Sequence, residues 1–112
     1  MRTYRGRRVD GTALVTVQES GGPEVPFLPD DSLWIVNHSP TGFEWGFGGS
    51  GAAQLAFALL LDGTAHPRMT QQRYQVFKWD VVQAWGDEWS ITAEQIIQWV
   101  MRVEVLATGG TR

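Results

Sequence analysis

Hydrophobic and polar positions change rhythm once along this chain. Up to about residue 36 the apolar residues come in short runs cut by Gly, Pro and Asp, whereas beyond residue 51 they form a nearly unbroken run and then recur at spacings of three and four. In the first part, Thr3 to Arg8 and Thr12 to Gln18 read as two strands, the second alternating. Asp10-Gly11 between them is a strong hairpin signal. Glu19-Ser20-Gly21-Gly22-Pro23 makes a second turn. Val25 to Leu28 and Leu33 to Val36 are short extended pieces, broken by Pro26, Pro29 and the turn at Asp30-Asp31-Ser32. Proline cannot donate to a strand ladder, so a third strand here belongs at a sheet edge.

In the second part, Ala52 to Leu61 holds one polar residue, Gln54, and has no face for water. Such a segment is a helix buried nearly all round. Ser50 is placed to cap it and Asp62-Gly63 to end it. A second helix is predicted from Pro67 to Ala84, proline being tolerated in the first turn. Its apolar stripe is Tyr74, Phe77 and Val81, with Trp85 beyond. A third helix starts at Thr92, where Thr92-Ala93-Glu94-Gln95 has the capping-box pattern, and runs to about Glu104. Ile96, Trp99, Val100 and Val103 share its inner face. The glycine-rich tail from about residue 107 is expected to fray. Strands first and helices afterwards argue for an α+β fold, a small antiparallel sheet (the N-terminal hairpin plus an edge strand) packed with three helices.

A length of 112 residues is that of one domain, spanning 1–112, and 43% hydrophobic residues exclude a disordered chain. The longest apolar run, Leu55 to Leu61, is far short of the roughly 18 residues that cross a bilayer, and no apolar segment follows the N-terminal arginines as in a secretory signal. Absence of cysteine removes disulfides and thiolate metal ligands, which suits a reducing cytosol. A soluble cytoplasmic protein without membrane contact is expected.

Charge is distributed unevenly. Arg2, Arg5, Arg7 and Arg8 put four positives in the first eight residues with no acid among them, leaving five basic against twelve acidic residues in the remainder and −3 overall. Phosphate neutralisation needs a broad basic surface, so nucleic acid is not the expected partner. The N-terminal basic patch fits an anion, an acidic partner or, more plainly, a solvated strand edge that arginines keep from sticking.

The candidate chemistry lies from Asn37 to Gly51, N-H-S-P-T-G-F-E-W-G-F-G-G-S-G, just before the buried helix. A stretch so dense in special-backbone residues is costly to order and makes a defined shape. Gly46-Phe47-Gly48-Gly49-Ser50-Gly51 satisfies G-x-G-x-x-G formally. It lacks a clean preceding strand and a second βαβ strand ending in an acid, and it lacks the G-K-[ST] end of a P-loop. A softer version survives: an anion or small ligand held by His38, Glu44, Gly46, Gly48, Gly49 and Ser50 at a helix N-terminus. The plainer alternative is that the glycines let the loop turn tightly against the aromatic core. His38, Ser39 and Glu44 are the residue types of a catalytic relay, but adjacency does not make side chains converge. With two histidines and no cysteine, a metal site would need His38 and His66 together with carboxylates. No catalytic residue, metal or cofactor is assigned.

Six tryptophans in a chain of this length are several times ordinary usage. The charges around them are mainly acidic, the wrong sign for single-strand stacking platforms. Trp79 and Trp99 stand where helical periodicity predicts burial. Trp85, Asp87, Glu88 and Trp89 form an aromatic–acidic turn, the best candidate for a protein contact.

The run from Asn37 through the buried helix resembles the signature of a family of short proteins of unassigned function, found in bacteria, their phages and plasmids. Tyr4-Arg5-Gly6, Tyr74-Gln75-Val76-Phe77-Lys78 and the closing helix with Trp99 also resemble its pattern. The resemblance implies no established activity and no catalytic residue. It implies a setting among accessory genes of mobile elements, many of which encode partners or inhibitors of host machinery. The expected function is therefore a non-enzymatic interaction with a host or defence protein, with a ligand-binding module or enzyme at the glycine loop as the alternative.

Overall fold

The computed structural model describes residues 1–29 and 42–109, with side chains described to residue 104. Strands β1 (Arg2–Val9) and β2 (Thr12–Glu19) pair antiparallel from Arg2↔Glu19 to Val9↔Thr12. Asp10 (φ 51°) and Gly11 (φ 80°) both take positive φ at the hairpin, the conformation that twists with the strands. The short β3 (Glu24–Pro26) pairs with β2, and Pro26 ends it at a sheet edge. The predicted extended piece at Leu33 to Val36 lies outside the described residues.

On the other side of β1 stands β4 (Glu88–Thr92), completing a four-stranded antiparallel sheet in the order β3-β2-β1-β4. The sequence pattern places Glu88 and Trp89 in the aromatic–acidic turn and predicts no strand here. The alternation Glu88-Trp89-Ser90-Ile91-Thr92 instead fits a half-buried strand, with Trp89 buried and Glu88 and Ser90 exposed.

Helices follow as α1 (Ser50–Thr64), α2 (Pro67–Asp80) and α3 (Ala93–Gly109). The fold is α+β, as the order of patterns predicted. All residues from Ala52 to Leu60 are buried, Gln54 included, so α1 is the spine of the core. The sheet face that carries Tyr4, Val15 and Trp89 packs with α1, α2 and α3 into one hydrophobic cluster, while Arg5, Arg7 and Leu14 point from the opposite face to solvent. Phe57 meets Tyr74 and Phe77 meets Trp99, both edge to face, at centroid distances of 5.1 and 4.8 Å.

Helix ends depart from expectation in three places. Ser50 does not cap α1: Gly49 holds that position in extended conformation, and no side chain caps the end. Asp62-Gly63 does not stop α1, which continues to Thr64 and closes through left-handed Ala65, whose N–H donates to Leu61 O. The second helix does not reach Ala84. Val81 leaves helical geometry and a 3₁₀ turn follows at Val82–Ala84, which buries Val82 completely and directs its carbonyl at the glycine loop. α3 starts as predicted, with a reciprocal capping box: Gln95 N–H donates to Thr92 Oγ1 (3.0 Å) and Thr92 N–H to Gln95 Oε1 (2.9 Å).

Candidate functional site

The described half of the glycine loop, residues 42–49, is built around Trp45. Its ring is fully buried, and its Nε1–H donates to Gly86 O at 2.7 Å. Trp89 meets it edge to face at 5.6 Å and stacks in turn on Trp85 at 4.0 Å, so three indoles brace the loop. Arg8 closes the assembly. Its guanidinium lies 4.6 Å from the Trp45 ring centroid and donates to Trp45 O (2.8 Å), Glu44 Oε1 (3.0 Å) and Asp87 Oδ1 (3.2 Å). Phe43 extends the core by stacking on Phe27, which meets Tyr4 edge to face.

Close approach accounts for Gly46 and Gly51 and is tight at Gly48 and Gly49, whereas a Cβ at Gly42 would meet nothing within 4 Å. Gly46 has φ +83°, donates to Val82 O at 3.1 Å, and would place a Cβ 2.9 Å from Trp85 O. A Cβ at Gly51 would stand 2.8 Å from the Glu44 Cβ. Phe47 lies against Gly49, and Trp79 and Gln83 against Gly48. Ser50 is exposed at the start of α1. The loop thus brings Glu44 and Gly46 to Arg8, while Gly48 and Gly49 lie against Gln83, Trp79 and Phe47, Ser50 stands apart, and His38 lies outside the described residues. The other histidine, His66, uses its Nδ1 to accept from Met69 N–H at the head of α2. Among the described residues no group of three or more His, Cys, Asp or Glu is placed to hold a metal ion.

The aromatic–acidic turn divides. Trp89 turns inward and is 8% exposed, Trp85 is half-buried on top of it, and Asp87 and Glu88 are exposed. Trp79, predicted to be buried, is 61% exposed, because Phe77 occupies the inward position of α2 and a residue two further on lies across the helix. Lys78 Nζ covers one side of it at 4.8 Å from the centroid. Phe47 is 55% exposed beside it, across Gly48 and Gly49. Phe47 and Trp79 therefore lie against the same Gly48-Gly49 segment as exposed rings, which the sequence did not single out.

The N-terminal basic patch is split by strand alternation. Arg2 and Arg8 lie on the helix-covered side and are engaged, whereas Arg5 and Arg7 lie on the open face. Arg2 donates to both oxygens of Asp62 (2.8 and 2.6 Å), and the buried Tyr4 hydroxyl donates to Asp62 Oδ2 at 2.6 Å. Burial, then the hydrogen bond to the carboxylate, pushes the Tyr4 hydroxyl far above its ordinary value, and the Asp62 contact likewise raises Arg2. No sequence signal linked positions 58 and 60 residues apart. The three residues form a polar latch between β1 and the end of α1, and two of them, Arg2 and Asp62, line a recess of about 390 Å³ together with Phe27, Leu28 and Ala58. Among the described residues no helix is long and apolar enough to cross a membrane.

The model of a family of unknown function, DUF6166, matches residues 4–102, and the chain belongs to that family. No curated protein and no solved structure matches it.

Proposed function

We propose that this member of DUF6166 acts by binding another protein rather than by catalysis, through the face formed by Phe47, Trp79, Trp85 and the acidic pair Asp87 and Glu88. One observation carries the reading. Phe47 and Trp79 are 55% and 61% exposed, on a loop and on a helix, and both lie against the Gly48-Gly49 segment. Large rings held on rigid elements lose little entropy on burial and are the usual anchors of protein interfaces. The alternative, a small-ligand or anion module at the glycine loop, gains no support from glycines that neighbouring groups already account for. The finer reading is that of a cytoplasmic mobile-element accessory protein that modulates or inhibits a host or defence protein. It is carried by the family resemblance and by the absence of cysteine.

The test is affinity capture from the native host with the wild-type chain, a Phe47→Ser/Trp79→Ser double variant, and a Met101→Ser control at an exposed apolar residue elsewhere. Recovery of a saturable partner is expected to fall at least about tenfold for the double variant, as for loss of hot-spot aromatics, and to be unchanged for the control. Equal recovery by all three would remove this face as the contact.

A further inference from the structure

Strand β4 ends the sheet, and among the described residues nothing pairs with its outer edge. An unpaired edge is a template for another strand, and proteins commonly blunt theirs with proline, lysine or a bulge. The run Glu88-Trp89-Ser90-Ile91-Thr92 has none of these; its one guard is Glu88 at the start. The direction of its backbone groups follows from the cap of α3. Thr92 N–H turns away from β1 to Gln95 Oε1, and in an antiparallel ladder alternate residues point the same way, so Ser90 N–H lies on the free side too. Beside this edge runs a groove of about 330 Å³ between β4, the end of α2 and α3. Phe77, Val81, Ile91 and Trp99 form its floor, and Gln98 and Arg102 its far rim.

We propose that this groove binds an extended, carboxylate-bearing peptide segment of another protein, added as a fifth strand on β4. Main-chain hydrogen bonds from the edge supply affinity, the apolar floor takes every second side chain of the peptide, and Arg102 takes its carboxylate. The charge of the groove selects this occupant. Among the described residues no acid lines it, and Arg102 is exposed and has no ion-pair or hydrogen-bond partner among them, in a chain of net charge −3. Asp80, the acid next to Trp99, is engaged by the Trp99 Nε1–H at 2.6 Å. The site is separate from the Phe47–Trp79 face and does not depend on it.

The test uses the full chain and a fluorescent peptide, acetyl-Asp-Val-Thr-Val-Thr-Val-Asp-amide, acidic at both ends so that either strand direction can reach Arg102. Saturable binding by anisotropy is expected. Exchanging both Asp for Asn, or Arg102→Gln in the protein, should each weaken it about tenfold, the loss of one charge-assisted contact. N-methylation of one alternate set of peptide amides should abolish binding, while methylation of the other set leaves it within about twofold, since only one set faces β4. Ser90→Pro, which removes an amide on the free side, should retain the fold by circular dichroism and lose the peptide. The N-methylated peptides decide the question should that variant fail to fold. Absence of binding by the wild-type chain, or equal effects of the two methylation patterns, would overturn the proposal. So would sedimentation showing that the free edge is closed by a second copy of the chain.

Discussion

Gly6 carries no side chain because Trp89 occupies that volume. The two residues are partners across β1 and β4, and a Cβ at Gly6 would lie 2.2 Å from the Trp89 Nε1 and 2.3 Å from Cε2. The indole has nowhere to retreat, being held between Trp45 and Trp85. Gly6→Ala is therefore expected to cost about 1–3 kcal/mol, the range for overpacking a filled core, although alanine is the less entropically costly residue. Denaturant midpoints of the two proteins at equal m-value would show it, and an unchanged midpoint would mean that Trp89 repacks freely. The Trp89 Nε1 is also buried without a hydrogen-bond partner, unlike those of Trp45 and Trp99. Its place in the core rests on area and ring stacking alone.

At the level of elements, side chains near helix ends reveal which sequence signals carried structural information. Thr92-Ala93-Glu94-Gln95 was legible because a capping box is local: both hydrogen bonds span three residues. Ser50 has the right residue type in the right neighbourhood, but Gly49 takes the cap position, so nothing local distinguished the two. Thr92→Ala is expected to lower stability by about 1 kcal/mol, whereas Ser50→Ala should stay within about 0.5 kcal/mol of wild type. Thermal melts of both variants separate these outcomes. The buried character of α1 and the hairpin were equally legible, because composition and turn chemistry are local properties. Strand β4 was hidden because only five residues alternate and their partner β1 is some eighty residues earlier. Trp79 misled because a tryptophan suggests core, and only the position of Phe77 shows which side of α2 faces inward.

The latch between β1 and α1 makes a pH prediction at the same scale. Tyr4 ionises near pH 10.0 when unfolded, but in the folded chain its hydroxyl is held far higher by burial and by Asp62. The unfolded chain thus releases a proton that the folded chain keeps, so stability is complete below about pH 10 and falls as pH rises beyond it. Tyr4→Phe is expected to be less stable at neutral pH, having lost the bond to Asp62, and to show a shallower alkaline decline. Denaturant titrations between neutral pH and the alkaline range test the sign; parallel decline in both proteins would assign the effect elsewhere.

Over the whole molecule, charge is arranged so that the arginines of the first strand do not act as one surface. Alternation sends Arg2 to Glu19 and Asp62, and Arg8 to Glu44 and Asp87. The remaining two share the open sheet face with two acids: Arg5, Arg7, Glu24 and Glu88 line the same shallow recess, and Arg5 also donates to Gln18. A phosphate backbone approaching that face meets two cations and two anions, and among the described residues no aromatic platform is exposed between them. A protein that neutralises several phosphates loses affinity with a logarithmic salt slope of about −0.9 for each on duplex DNA and about −0.7 on single strands. Here the slope is expected to stay above about −1 even at low ionic strength, with single-stranded and duplex oligonucleotides retained alike and weakly. Filter binding across a salt series measures it. A steep slope that Arg5→Gln/Arg7→Gln flattens would show that the open face reads nucleic acid after all, because among the described residues those two arginines of the strand have no carboxylate in salt-bridge contact. A shallow slope would leave the exposed rings and the free edge of β4 as the surfaces on which the proposed protein contacts are to be tested.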